Sequence, residues 1–279
     1  GVPAVAMAYI AEEVEPRSLG RAMGLYIAGT AMGAMIGRVG MGLFAEYGSW
    51  RTALGIIGLA DLAAAAAFYL LLPPSRNFQP QRGVGLGFHL AAWRDHLRNG
   101  SLVGLFAVGF ALTSVFVTVF NYAGFRLEAP PYSLSQLEAS LIFLVYGFGI
   151  VSSSSAGLVA ERIGWRGALV AGFLTMAAGI ALTLAAPLAL VVAGVSLVTI
   201  GFFIGHAVAS GLVGRFSGSA KGHASSLYLL FYYIGASVTG TLGGWFWEHG
   251  GWPAVAALTA GLATAGAVVG GLVARGRGS

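Results

Sequence analysis

The segment from Gly20 to Trp50 reappears from Gly222 to Trp252 at one constant offset, without a gap. Gly20, Ala22, Leu25, Tyr26, Gly33, Ala34, Gly42, Phe44, Glu46, Gly48 and Trp50 meet Gly222, Ala224, Leu227, Tyr228, Gly235, Ala236, Gly244, Phe246, Glu248, Gly250 and Trp252. Each copy is a hydrophobic helix with basic residues before it and a Glu-x-Gly-x-Trp turn at its end. Two copies of a membrane span with the same orientation are what a chain of two parallel halves shows, related by an axis along the membrane normal.

Composition puts these copies in a bilayer. Hydrophobic residues make up 57% of the chain and charged residues only 9%, against roughly a quarter charged in soluble domains. The many glycines and alanines suit helices that pack backbone to backbone in lipid. There is no cysteine, which excludes a disulfide framework and thiolate metal sites. The net charge of +5 is not read as a nucleic-acid signal, because its placement follows membrane topology. The chain opens inside an apolar run, Gly1 to Ala11, with no charged leader. That start is expected to be a cut through something longer.

A spanning helix needs roughly 20 apolar residues. The sequence predicts a partial span ending near Ala11 and full spans near 22–45, 53–72, 101–122, 139–159, 168–186, 188–207, 223–247 and 254–274. Alternate junctions hold Arg17 and Arg21, then Arg76, Arg82, Arg94 and Arg98, then Arg162 and Arg166, then Arg215 and Lys221, and the terminal Arg275 and Arg277 fall with them. The other junctions hold Arg51 and Arg126 with Glu46, Glu128, Glu138 and Glu248. The positive-inside rule makes the first set, and the C-terminus, cytoplasmic. The polar stretch Pro73 to Gly100 reads as a cytoplasmic linker, with an amphipathic piece near Leu90–Leu97 on the membrane surface. The expected organisation is therefore 1–72, the end of a first six-helix half; 73–100, the linker; and 101–279, a second half of six spans with a short tail. About three spans, on the order of a hundred residues, are expected ahead of Gly1.

Local motifs add a resemblance. Gly157-Leu-Val-Ala-Glu161-Arg162-Ile-Gly164-Trp165-Arg166 resembles the Gly-…-Arg-x-Gly-x-Arg turn between the second and third spans of each half in the major facilitator superfamily. Gly29-x-x-x-Gly33-Ala34-x-x-Gly37-Arg38 resembles the fifth-span glycine motif of its proton antiporters, with Ala34 and Arg38 departing from the usual pattern. GVPAVAMAYIAEEVEP at the start, SWR at 49–51, LLPPSR at 71–76, FNY at 120–122, SLSQ at 133–136 and ASSLYL at 224–229 look like the YnfM-like branch, whose members are commonly labelled arabinose-efflux or drug-efflux permeases. The resemblance implies an all-α integral membrane protein of the major facilitator fold, comprising the end of span 4 and spans 5–12 of twelve. It also implies a monomer in the bacterial inner membrane, with a small-molecule solute and protons as its partners.

Several residues are candidates for function. Arg38 stands alone in an apolar run, where a charge costs at least about 2.5 kcal/mol. It is either a gating or coupling charge between the halves or a snorkelling, structurally paired arginine. Asp61, at similar depth in the next span, is a partner for Arg38, a titratable site or a supporting group. Ser114, Thr118 and Asn121 share one face at i, i+4, i+7, with Tyr122 adjoining. By resemblance this span lines the central cavity; the alternative is interhelical bonding, worth about 0.6 kcal/mol on average. Ser196, Thr199, Phe203 and His206 share a face of a later span. His206 would carry a proton or simply sit at a headgroup boundary. Tyr228 and Tyr232 form a further stripe with Gly235 and Thr239, and Tyr26 is the repeat mate of Tyr228. The run Ser152–Ser155 is expected to permit close packing.

No enzyme signature emerges. The glycines at 83, 85 and 87 follow no strand, Asn99-Gly100-Ser101 falls on the cytoplasmic side, and no cofactor or metal site is expected. The sequence is read as a proton-coupled exporter of a small organic solute or drug. The alternatives are an importer of a small metabolite and a non-transporting scaffold or gene relic.

Overall fold

The computed structural model describes residues 2–15, 17–77, 85–218 and 220–273, and it is helical, with no strand among them. The helices are α1 (Val2–Glu13), α2 (Leu19–Glu46), α3 (Trp50–Leu71), α4 (Leu86–Arg98), α5 (Gly100–Glu128), α6 (Gln136–Ser140), α7 (Tyr146–Thr183), α8 (Leu188–Phe216) and α9 (Lys221–Leu272). A 3₁₀ turn at Leu141–Val145 joins α6 to α7. The arginines at 82, 275 and 277 and the glycine at 83 lie outside the described residues.

Among the described residues, six helical stretches are long and apolar enough to cross a membrane. Two glycines account for the difference from the eight expected spans. α7 passes through Gly164 at φ 74° and ψ 155°, and α9 through Gly251 at φ 57° and ψ −152°. Only glycine adopts such angles readily, so each of these two helices is a pair of rods joined at a kink and the six stretches hold eight rods. The kinks fall in the Arg-x-Gly-x-Arg turn and in the second copy of the Glu-x-Gly-x-Trp turn. The first copy ends a helix outright: α2 stops at Glu46, and α3 starts after Ser49, whose hydroxyl accepts from the Thr52 N–H.

Side chains cap two further helix starts. The Asn99 side chain accepts from the N–H groups of Ser101 and Leu102 at the head of α5. Ser135 and Glu138 form a reciprocal capping box on α6, satisfying donors the helix itself cannot. At the far end of α7, Arg126 donates to the carbonyls of Thr183 and Ala185, while the Tyr132 hydroxyl donates to the Ala186 carbonyl. The Thr183 carbonyl is one of the orphans that a helix C-terminus presents, and a cation suits that end.

Glycine decides which helices touch. The rod of α7 after Gly164 lies backbone to backbone on α8: a Cβ on Gly179 would sit 2.5 Å from the Gly194 carbonyl oxygen, and one on Gly172 would sit 2.9 Å from that of Gly201. α5 packs on α9 in the same way, with Gly235 against the Phe110 carbonyl at 2.5 Å. The core lies in this α5–α9 bundle, around Phe106, Phe173, Phe202, Met176 and Tyr228. α2 joins it along α7, where a Cβ on Gly24 would sit 2.6 Å from the Ser153 carbonyl, and along α6, where Gly42 abuts Ser140. α3 packs on α2 and buries only Ala53. Apart from Arg51 and Thr52 at its start and Asp61 mid-helix, its surface is apolar, as befits a helix facing lipid.

Candidate functional site

α1 and α2 precede α4 in the chain, and α5 to α9 follow it. Their seam runs along α2 and the first rod of α7, with a cavity at each end. At one end, a cavity of about 910 Å³ is lined by Glu12, Arg17, Gly157, Glu161, Arg215 and Lys221 among others. At the other end, a cavity of about 630 Å³ is lined by Arg38, Gly42, Glu128, Gln136, Ser140 and Phe143 among others. The first cavity mixes three basic with two acidic side chains, and the second has one of each. Between them the seam is closed by Gly24 against Ser153. The run Ser152–Ser155 turns every hydroxyl back onto carbonyls of its own helix, which consumes their polarity locally and leaves a smooth backbone surface for α2.

Arg38 lies with its guanidinium 4.7 Å from the centre of the Phe143 ring, a cation–π contact across the seam. Asp61 is exposed on α3 and makes no ion pair with Arg38; among the described residues the ion pair is Arg94–Asp95. Gly33 and Gly37 have open space where a Cβ would stand, so these two motif glycines lie off the α2–α7 contact. In the other motif, Gly164 makes the kink, Arg166 donates from Nε to the Val273 carbonyl at 2.9 Å, Gly157 lines the larger of these two cavities and Arg162 is exposed.

The polar stripe of α5 meets α9. Thr239 donates to Ser114 at 2.9 Å, and the Tyr122 hydroxyl donates to the Gly240 carbonyl at 2.8 Å. Asn121 stands 3.3 Å from where Gly240 would carry a Cβ. Thr118 is buried, and its hydroxyl has no partner among the described residues. Ser114 and Tyr122 thus pair α5 with α9 across a glycine-rich contact. Ser196 and Thr199 return their hydroxyls to carbonyls of α8.

A buried polar and aromatic cluster surrounds His206. Its Nδ1 shares a 2.8 Å hydrogen bond with the Tyr228 hydroxyl. Its ring lies 5.6 Å from Phe202 and 5.0 Å from Tyr232. Tyr228 is fully buried and reaches this point by lying over Gly109, where a Cβ would come within 2.6 Å of its ring. Tyr26 of α2 is half-buried and packs against the same core as Tyr232.

Several anchoring residues carry no motif. Lys221 donates to the Ala11 carbonyl at 2.8 Å, tying α9 to α1. Glu13 receives the Ser75 hydroxyl and the N–H groups of Arg76 and Asn77. The Ser75 hydroxyl first, then the N–H of Asn77 and that of Arg76, hold its carboxyl below the ordinary range. The basic residues were visible as topology markers, but their partners are backbone groups that no sequence pattern names.

The chain matches the family model of the Major Facilitator Superfamily over residues 1–212. It is 47% identical over 252 residues to the uncharacterized MFS-type transporter YybF of Bacillus subtilis (strain 168), covering 90% of this chain and 62% of that protein. It is 42% identical over 264 residues to the inner membrane transport protein YnfM of Escherichia coli (strain K12), covering 93% and 62%. An uncharacterized transporter of Buchnera aphidicola subsp. Acyrthosiphon pisum is 40% identical over 254 residues, covering 90% and 61%. The chain thus spans about three-fifths of the length of these relatives.

Proposed function

This chain belongs to the Major Facilitator Superfamily, and we propose from that premise that it is the larger part of a secondary active transporter of the bacterial inner membrane, exporting a small organic solute in exchange for protons. The single observation that carries this reading is the seam: a smooth glycine–serine contact between α2 and α7 with a cavity at either end. Such a contact lets one half rock on the other, which is how parallel-half transporters expose a site alternately. Arg38 on Phe143 would latch the periplasmic end, and Lys221 on the Ala11 carbonyl the cytoplasmic end. His206, Tyr228, Tyr232 and Tyr26 would form the path between. Ser114, Thr118, Asn121, Tyr122, Ser196 and Thr199 would tune the wall of the second half, and Asp61 would support it from α3.

The test is solute flux in inverted membrane vesicles carrying the transporter. Uptake driven by an imposed pH gradient, abolished by a protonophore and lowered by Arg38→Ala, supports the proposal. Flux in the opposite sense would make it an importer, and no flux for any solute in a broad panel would leave a scaffold. Transport untouched in both Arg38→Ala and Asp61→Ala would remove the roles given to those two residues.

A further inference from the structure

The linker helix α4 is fastened to the mouth of α9 by histidines. His89 Nδ1 and His223 Nε2 share a 2.9 Å hydrogen bond, and His96 Nε2 donates to the Ala220 carbonyl at 3.1 Å. The two paired rings lie 5.2 Å apart, with Phe88 and Trp93 edge-on to His223 at 6.0 and 6.3 Å. His89, Ala92 and His96 recur at i, i+3 and i+7, which places them on one face of α4. His96 is buried there, whereas the Arg94–Asp95 pair is exposed.

We propose that the His89–His223 pair is a proton-operated latch, docking α4 on the first turn of α9 while the rings share one proton and releasing it when both rings are charged. A ring-to-ring hydrogen bond needs one nitrogen with a free lone pair; two imidazolium rings offer only N–H groups to each other. Histidine ordinarily titrates near 6.5, so the second proton arrives on acidification below that value.

The surroundings oppose that second charge. On α9 itself stands Lys221, two positions before His223, and the first turn of a helix carries partial positive charge. On α4 stands His96. α5, the other helix packed on α4, has no titratable side chain from Gly100 to Asn121. Glu12 of α1 lies in electrostatic range of Lys221. Docking is therefore complete at neutral and alkaline pH and is lost as pH falls. The same turn of α9 holds α1 through Lys221 and the Ala11 carbonyl, so the latch bears on the cytoplasmic end of the seam. The latch itself stands whether or not the chain transports.

The chain has no cysteine, so Ala92→Cys carries a single nitroxide on the docked face of α4. In lipid nanodiscs the spectrum should be immobilised at about pH 7.5 and gain a mobile component on acidification to about pH 5. The mobile-to-immobile ratio should rise up to about tenfold per pH unit below the midpoint, as for one proton, and revert on neutralisation. His89→Gln with His223→Gln should abolish this pH dependence, and a label at the exposed Leu97→Cys should stay mobile throughout. Amide exchange over residues 86–98 of the unlabelled chain, corrected for intrinsic rates, should report the same transition. A docked-face spectrum and exchange pattern unchanged across this range would overturn the proposal. So would a transition that survives in the double glutamine variant.

Discussion

Gly179→Ala adds one methyl where α7 and α8 touch. The new Cβ would lie 2.5 Å from the Gly194 carbonyl oxygen, 2.8 Å from the Val198 nitrogen and 2.9 Å from the Leu197 Cβ. None of these can swing aside as the end of a long side chain would. Restoring ordinary contact at 3.4 Å requires the helices to part by about 0.9 Å at this point. The paired contact of Gly172 with Gly201 lies on the same line and would open with it. In hydrocarbon, helix association rests on close packing rather than on the hydrophobic effect, so lost contact is not recovered elsewhere. Overpacking of this kind costs about 1–3 kcal/mol. At roughly 2–4 °C per kcal/mol for a chain of this order of size, the melting temperature should fall by about 2–12 °C. Gly261→Ala, on α9 with nothing within 4 Å of its Cβ, is the control and should be neutral or gain a few tenths up to about 1 kcal/mol, as alanine favours helix. The assay is thermal unfolding of the purified chain in detergent, followed by tryptophan fluorescence. Equal melting temperatures for the two variants would refute the reasoning that glycine is required by the α7–α8 contact.

Arg126→Ala removes the donor that serves the Thr183 and Ala185 carbonyls at the end of α7. Bonds to a charged donor are worth about 1.5–3 kcal/mol, so unfolding should shift by that amount, with Arg126→Lys recovering only part. Tyr228→Phe keeps the ring over Gly109 but strips His206 Nδ1 of its partner, at a cost of about 1–3 kcal/mol. In a double-mutant cycle with His206→Ala the two effects should be strongly non-additive, and simple additivity would contradict the pairing. Glu13 titrates below the ordinary value of 4.5, so its anchor contributes stability above that pH and loses it as pH falls through the folded value. Glu13→Gln should therefore lower the melting temperature at neutral pH and have no effect well below pH 4.5.

Much of the architecture was legible because membrane segments declare themselves by length, charge and repetition. The repeat marked both Glu-x-Gly-x-Trp turns, and the structure shows a helix end at the first and the Gly251 kink at the second. The basic motif marked Gly164 as a turn, and the linker helix expected near Leu90–Leu97 extends over Leu86–Arg98. Less could be said of what each face meets. Periodicity placed Ser114, Thr118 and Asn121 together, but only the fold shows Gly235, Gly240 and Gly243 of α9 opposite α5. With 44 glycines in the chain, sequence alone could not single out Gly109, Gly172, Gly179, Gly194 and Gly201 as contact points while Gly33 and Gly37 stand open. The pairing of Glu13, Arg126 and Lys221 with backbone groups leaves no residue pattern to read.

The central claim is that the two segments rock about the α2–α7 seam. Because the chain lacks cysteine, spin-label pairs can be placed at Ala45 and Gln136 on one cavity and at Gly20 and Ala160 on the other. Distances measured in nanodiscs at neutral and acidic pH should change in opposite senses, one end widening as the other narrows. Two distances that stay fixed, or that widen together, would contradict the account.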